Sequence, residues 1–458
     1  MDTLDWIALS IAVYLFVAAL VAGHAFILRK ASVFEPIGQY LVFVSLFTLP
    51  LPIRTLITLE IEGNVTPFLL TLLPYLPVSV LMTALSLPLF SFGYYSRWSA
   101  SIGRRLPAPQ AGGRDNSRLA FVLLSGFSLV LIFLLTQQAG GLIPFLLLGY
   151  RSSEETFGRG YLAIGFPWLF VSTLFLLARY ARHRRRLDAL LFTLALAATL
   201  GMQLLQGNRS ILVYVGIVVL VFVHYAVRRL RWYVLGPLAV TVFLALNLVG
   251  LMRGSDYESF ADLYERSAGV AERSGHGEDN MFYTLTIGEF VVPFETLPQM
   301  VRTVGISDTP WYGVSVLRTP LYLIPGAIFP DRPLPLANWY MRRFYGGGYG
   351  LNEGRAFFFL AEGYLNFMFA GVVLVALLWG FGWGALHRWM TSHSGNPFVV
   401  MIYALAVGFI FRAIAGDVST ILIGMTQQSL VAAVLGLAIT GARWRLPRPR
   451  LAAQSSLA

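Results

Sequence analysis

The chain has 458 residues and no cysteine, which excludes disulfides, thiolate catalysis and zinc–thiolate sites. Hydrophobic residues make up 57% and charged residues only 12%, and apolar runs near twenty residues recur along the chain. That pattern reads as an all-α polytopic membrane protein, not a soluble domain. The net charge of +11 raises the question of nucleic acid. The excess lies in short segments flanking apolar runs, so nucleic-acid binding is discounted.

Eleven transmembrane helices are the most economical count, at about residues 5–28, 37–57, 67–90, 119–138, 161–180, 188–206, 210–227, 232–252, 356–386, 397–414 and 418–441. Residues 1–252 then hold the first eight spans, and 253–355 form one long loop. Spans nine to eleven occupy 356–441, and 442–458 are a basic tail. The first apolar segment is too long for a signal-peptide core and lacks a basic leader, so it is expected to be a retained span.

Orientation follows from the excess of Lys and Arg in cytoplasmic segments. Arg29 and Lys30, the 91–118 loop, Arg179 to Arg186, Arg228 to Arg231, Arg388, and Arg443 to Arg450 all fall inside if the chain crosses eleven times. The N-terminus is then outside and the C-terminus inside. Fourteen of the 34 basic residues remain on the outer side, with nearly all the carboxylates. Polar chemistry is therefore expected on that face.

Within the long outer loop, the apolar stretch from Met281 to Met300 is interrupted by Gly288, Glu289, Pro293, Glu295 and Pro298. Were it a full span, the basic tail would face outward, so it is read as interfacial or re-entrant helices. A second patch from Trp311 to Pro330 could lie over the bundle as a lid or serve as a plain cap. Gly346 to Gly350 is Gly-rich without completing a dinucleotide fingerprint: it suits a mobile loop, or close backbone approach to a phosphate. His276 sits in a polar stretch whose ordinary reading is a surface loop, with proton transfer as the alternative. No Walker loop, nucleophile elbow or HExxH pair occurs.

The helix dipole ranks the outer arginines. A cation at a helix C-terminus is locally favoured, which accounts for Arg253 and Arg412. Arg159, Arg209 and Arg355 instead precede spans that start outside, where the dipole disfavours a cation, so an anion should compensate them. Around Arg209 the short turn Gln206-Gly207-Asn208-Arg209-Ser210 offers Asn208 or Ser210 as a helix cap, and free N–H groups beside a guanidinium make an anion site. A tight hairpin with a headgroup-facing arginine is the plainer alternative.

Arg355, Glu362 and Asn366 fall at spacings that would place them on one helix face, Arg355 and Glu362 about 10 Å apart. A carboxylate within a span usually faces the bundle interior, as a structural partner or as a catalytic group. Asp417 begins the last span, where an N-cap is its ordinary role; it could also orient Arg412. A lipid-linked diphosphate is the anion that fits several arginines at an outer membrane surface, since its tail lies in the bilayer and its charge at the headgroups. No tight acidic cluster suggests a metal site, and guanidiniums can neutralise a departing diphosphate.

Together these features resemble the Wzy-type O-antigen and oligosaccharide repeat-unit polymerases, within the wider polymerase and O-antigen ligase group. The resemblance rests on the many-span layout, Gly207-Asn208-Arg209-Ser210, Arg318-Thr319-Pro320 through Ile324-Pro325-Gly326-Ala327-Ile328-Phe329-Pro330, Ala361-Glu362-Gly363-Tyr364-Leu365-Asn366-Phe367, and Arg412 to Asp417. It covers about residues 119–440.

The resemblance implies a GT-C-like bundle with one long periplasmic loop in the bacterial inner membrane, and a glycosyltransferase that needs no metal or other cofactor. Such enzymes move a growing glycan from undecaprenyl diphosphate to an incoming lipid-linked repeat unit, making O-antigen or a related surface polysaccharide. It also implies a flippase and a chain-length regulator of the same pathway as partners. On this reading Arg209, Arg318, Arg355 and Arg412 bind diphosphate, with Arg151, Arg159 and Arg332 in support. Glu362, or failing it Glu353, is the base, and Asn208, Asn366 and Asp417 support the site. Trp311, Trp339, Tyr340 and Tyr345 would suit sugar stacking. An O-antigen ligase with lipid A core as acceptor, and a lipid-linked oligosaccharide or polysaccharide transporter, are the alternatives; charges gathered at outer helix ends favour surface chemistry over translocation.

Overall fold

A computed structural model describes residues 3–57, 67–110, 115–148, 160–206, 209–231, 291–324, 328–329, 331–346 and 355–446. Among these residues ten helices are long and apolar enough to cross a membrane, so the chain is an all-α polytopic membrane protein. Ten of the eleven expected spans coincide with these helices to within a few residues at most ends. The span expected at 232–252 lies outside the described residues.

The basic connecting segments gather on one face of the bundle. Ala108–Gln110 pairs antiparallel with Arg443–Arg445, which joins the 91–118 loop to the C-terminal tail. Arg118 and Arg179 both bind the buried Asp188 carboxylate, at 2.7 and 3.2 Å, so the starts of two spans and the end of a third meet there. Trp389 donates its indole N–H to the Pro107 carbonyl at 3.0 Å. Arg184 donates to the Val227 carbonyl at 3.1 Å. Segments far apart in sequence thus share one side, as alternating crossings require.

Close helix packing depends on glycines that leave no room for a side chain. Gly380 and Gly384 abut the backbone of Phe90 and Tyr94, so residues 380–384 run parallel to the end of the Leu76–Tyr95 helix. In a bilayer, where helices gain no hydrophobic energy from meeting, such close backbone approach supplies the packing.

The helix expected from residue 356 begins at Phe359 and is not one rod. Phe367 and Met368 break it, the latter at φ 52°, ψ −138°, a region that side chains rarely adopt. Beyond the break the chain folds back on itself. A Cβ placed on Gly363 would lie 2.8 Å from the Gly371 carbonyl oxygen, and the Phe359 and Trp379 rings approach to 5.0 Å. In a continuous helix Phe359 and Trp379 would be about 30 Å apart along the axis. Residues 359–366 are therefore a short re-entrant arm, about 12 Å long and too short to cross a bilayer, packed against 369–392, which is long enough.

The long loop contributes a second buried element. Val291–Thr303 is a helix whose middle, from Phe294 to Met300, is buried against the Pro36–Thr48, Leu76–Tyr95 and 359–392 helices. Thr296 receives the Phe358 N–H at 3.0 Å, and Gly305 lies against Met368, so this helix accompanies the re-entrant arm along its length. The interruptions in the 281–300 stretch thus go with a helix inside the bundle. Residues 281–290 lie outside the described residues.

Candidate functional site

Opposite the basic face, four elements converge on the re-entrant arm. Trp311 and Tyr312 donate their backbone N–H groups to the Leu365 and Asn366 carbonyls, both at 3.0 Å. The Gly313 N–H bonds the Asn366 Oδ1 at 2.9 Å. Carbonyls that the break would leave without partners are satisfied by this loop. The segment from Trp311 therefore caps the end of the arm.

Glu362 lies at the centre of this junction and is 1% exposed. Its Oε1 accepts from the Ser315 hydroxyl at 2.6 Å, and its Oε2 accepts from the Val418 N–H at 2.7 Å. Asn366 donates Nδ2 to the same Ser315 Oγ at 2.7 Å and to the Glu362 carbonyl at 2.8 Å. Ser419 donates to the Ser315 carbonyl at 3.1 Å and shares a hydrogen bond with Thr319 at 2.7 Å. The arm, the Val314–Leu317 turn and the start of the Val418–Met425 helix are thereby tied together. A helix N-terminus favours a carboxylate, which is why Glu362 is tolerated there.

Asp417 caps that same helix. Its Oδ1 accepts the Thr420 N–H at 2.8 Å and its Oδ2 accepts the Thr420 hydroxyl at 2.8 Å. Burial pushes its carboxyl above the ordinary range, with the Thr420 hydrogen bonds opposing. It does not orient Arg412: that guanidinium donates to Gln428 Oε1 at 3.0 Å and to Ser210 Oγ at 2.9 Å, and lies 5.9 Å from the Phe409 ring centre. Ser210 is the second residue of the Arg209–Phe222 helix, so Arg412 is joined to the helix start that begins with Arg209. The Arg209 side chain lies outside the described residues.

Arg318 stacks over Trp311 at 5.1 Å, and Trp311 meets Trp339 edge to face at 4.9 Å. Arg332 donates to the Ile324 carbonyl at 3.3 Å. Both arginines lie within electrostatic reach of Tyr322, as do Asp417 and Glu362. Burial, followed by the Asp417 charge, raises the Tyr322 hydroxyl, while the two arginines lower it. These four charged groups thus surround one tyrosine. Among the described residues, neither Arg318, Arg332 nor Arg412 forms an ion pair with a carboxylate.

Arg355 is placed differently from the sequence expectation. It lies in the extended run before Phe359, not on the helix face with Glu362, and pairs with Glu295 through its Nε and through Nη2 at 2.7 Å. Tyr345 donates to Glu295 Oε1 at 2.8 Å, and its ring lies 4.9 Å from the Arg355 guanidinium. Burial raises the Glu295 carboxyl, and Arg355 and Tyr345 work against that rise. The anion that Arg355 requires is thus provided by the chain itself. Tyr340 is fully buried against Phe357, which removes it from any sugar-stacking surface.

Glu353, Arg151, Arg159, Asn208 and His276, and Gly347 to Gly350, lie outside the described residues. Ser315, Gln428 and Glu295 are the partners that sequence reasoning missed. Glu295 alone carried a signal: it is a carboxylate in an apolar stretch, between two prolines. Among the described residues no group of three or more His, Asp and Glu side chains assembles. Comparison with protein-family models, curated proteins and solved structures found no match for this chain.

Proposed function

We propose that this protein is a glycosyltransferase of the bacterial inner membrane that polymerises undecaprenyl-diphosphate-linked repeat units on the periplasmic side. The observation that carries this reading is the environment of Arg412. Its guanidinium sits where two helix ends meet, next to the Arg209 helix start, and among the described residues its hydrogen bonds go only to neutral partners. Arg318 and Arg332 bring two further guanidiniums to Tyr322, where Asp417 and Glu362 also reach, and among the described residues neither arginine is paired with a carboxylate. A diphosphate supplies the missing negative charge, and guanidiniums suit its oxygens in pairs.

In this reading an acceptor hydroxyl of the incoming repeat unit attacks the anomeric carbon of the growing chain. The new carbon–oxygen bond forms as the bond to undecaprenyl diphosphate breaks, and the arginines stabilise the departing charge. Arg209, Arg318 and Arg412 bind diphosphate, Arg332 supports them, and Arg355 acts through Glu295 to hold the start of the arm. Glu362 is the base, with Ser315, Asn366 and Asp417 positioning it; a diphosphate leaving group needs little further help. Arg151 and Arg159 stand as second-tier diphosphate binders and Asn208 as a supporting residue, while Glu353 is the base should Glu362 not serve.

The test is a reconstituted reaction with purified protein and lipid-linked repeat units, read as glycan length on the lipid. Polymer from the intact chain and none from Arg412→Ala at equal expression supports the reading. Transfer to lipid A core instead identifies a ligase. Movement of the lipid across vesicles without a glycan product identifies a transporter.

A further inference from the structure

A cavity on the basic face lies apart from the converging arginines. It is an open trough of about 890 Å³. Its floor is the end of the Leu76–Tyr95 helix, where Pro88, Ser91 and Gly93 keep the side chains small. The first helix forms one wall with Leu20 and Val21, and residues 377–381 form the other. Both walls pack on the same central helix and leave a gap between them.

The trough closes with cations at the basic end. Arg29 reaches His24 at 3.3 Å and lies 5.3 Å from the Tyr95 ring centre. Arg97 starts the short helix Arg97–Arg105, whose exposed Trp98 stands at the trough mouth. Arg29 and Arg97 are exposed, and among the described residues no carboxylate lines the trough. Glu35 lies behind Tyr95, where its Oε1 accepts the Ser32 N–H and its Oε2 the Tyr94 hydroxyl. An apolar channel ending in two guanidiniums and a tryptophan has the polarity of one lipid: acyl chain along the walls, anionic headgroup at the mouth.

We propose that the trough between the first helix and residues 377–381 binds one anionic phospholipid, its phosphate held by Arg29 and Arg97 and its acyl chain between Leu20 and Leu378. The headgroup cations account for charge selectivity and the walls for the need of a chain. The site is separate from the diphosphate reading above, and stands or falls without it.

The experiment uses the purified full-length chain in a neutral detergent, titrated with phosphatidylglycerol or with phosphatidylcholine of the same acyl chains. Retained lipid is counted by native mass spectrometry and stability by thermal unfolding. The expected result is one tightly retained phosphatidylglycerol, a raised unfolding midpoint, and at least tenfold weaker retention of phosphatidylcholine. Arg29→Gln with Arg97→Gln should remove that preference, and glycerol phosphate without acyl chains should not bind. Equal retention of the two lipids by the intact chain, or an unchanged preference in the double variant, overturns the proposal. Since the first comparison needs no variant, a folding defect in the second leaves the outcome readable.

Discussion

Arg412 and Ser210, separated by 202 residues, are joined by a 2.9 Å hydrogen bond from guanidinium to hydroxyl. That contact fixes the end of one span against the beginning of another. Lysine at position 412 would keep the charge but could not span Ser210 and Gln428 together. Arg412→Lys is expected to lower polymerisation at least tenfold with normal membrane expression. Measuring initial rates in detergent for both proteins checks this.

The Arg355–Glu295 pair predicts a loss of stability that a second substitution repairs. Arg355→Ala leaves a buried carboxylate without its cation, a change that costs about 3–5 kcal/mol in buried pairs. Arg355→Met combined with Glu295→Gln should recover most of the unfolding midpoint. It should recover activity too if Arg355 only holds the arm. An inactive double variant with normal stability would show instead that Arg355 meets the substrate.

Glu362→Gln replaces one carboxylate oxygen with an NH2 facing either the Val418 N–H or a Ser315 hydroxyl already receiving Asn366. A misplaced buried donor costs about 1–3 kcal/mol, so the variant should fold with a lower midpoint. If Glu362 takes the proton, turnover falls about a hundredfold or more at temperatures where the variant is still folded. Wild-type turnover there would remove the base assignment and leave a purely positioning role.

The hairpin at 367–368 gives a sharp packing test. A methyl on Gly371 would overlap the Gly363 carbonyl oxygen, backbone that cannot step aside. Gly371→Ala should cost about 1–3 kcal/mol, or prevent folding. Gly382→Ala on the same helix has open space and should be silent. Unfolding midpoints of the two variants in one detergent decide it.

On the basic face, Asp115 is bonded to Ser117 and His183 and lies 3.5 Å from Arg179. Burial alone would raise its carboxyl; the Ser117, His183 and Arg179 contacts together hold it below the ordinary value. A lowered folded-state value means that its stabilisation is complete above the unfolded carboxylate value, about pH 4, and disappears as pH falls through the folded one. The stability difference between the intact chain and Asp115→Asn should therefore shrink as pH falls below about 4. A difference that grows on acidification would refute this.

The spans were legible because a run of about twenty apolar residues has few other fates, and the Asp417 cap because its position before an apolar run suffices. The broken helix was not. Nothing local marks Phe367 and Met368 as a turn; the cue lies in Gly363 and Gly371, which matter only once the arms have met. Dipole reasoning expects an anion at Arg355, although the helix starts at Phe359 and Arg355 lies in the extended run before it. It could not find Glu295, sixty residues earlier, because that pairing depends on two re-entrant elements lying side by side. Arg412 was explained too simply by its helix end, since its partners come from two other helices.

The central claim is tested most directly by incubating the purified chain with a defined undecaprenyl-diphosphate-linked repeat unit and resolving the lipid-linked products by length. The account predicts a ladder of polymer from the intact protein, unaffected by chelator, and only unextended substrate from Arg209→Ala and Arg412→Ala. Absence of any ladder from folded, intact protein, or a normal ladder from both variants, would contradict it.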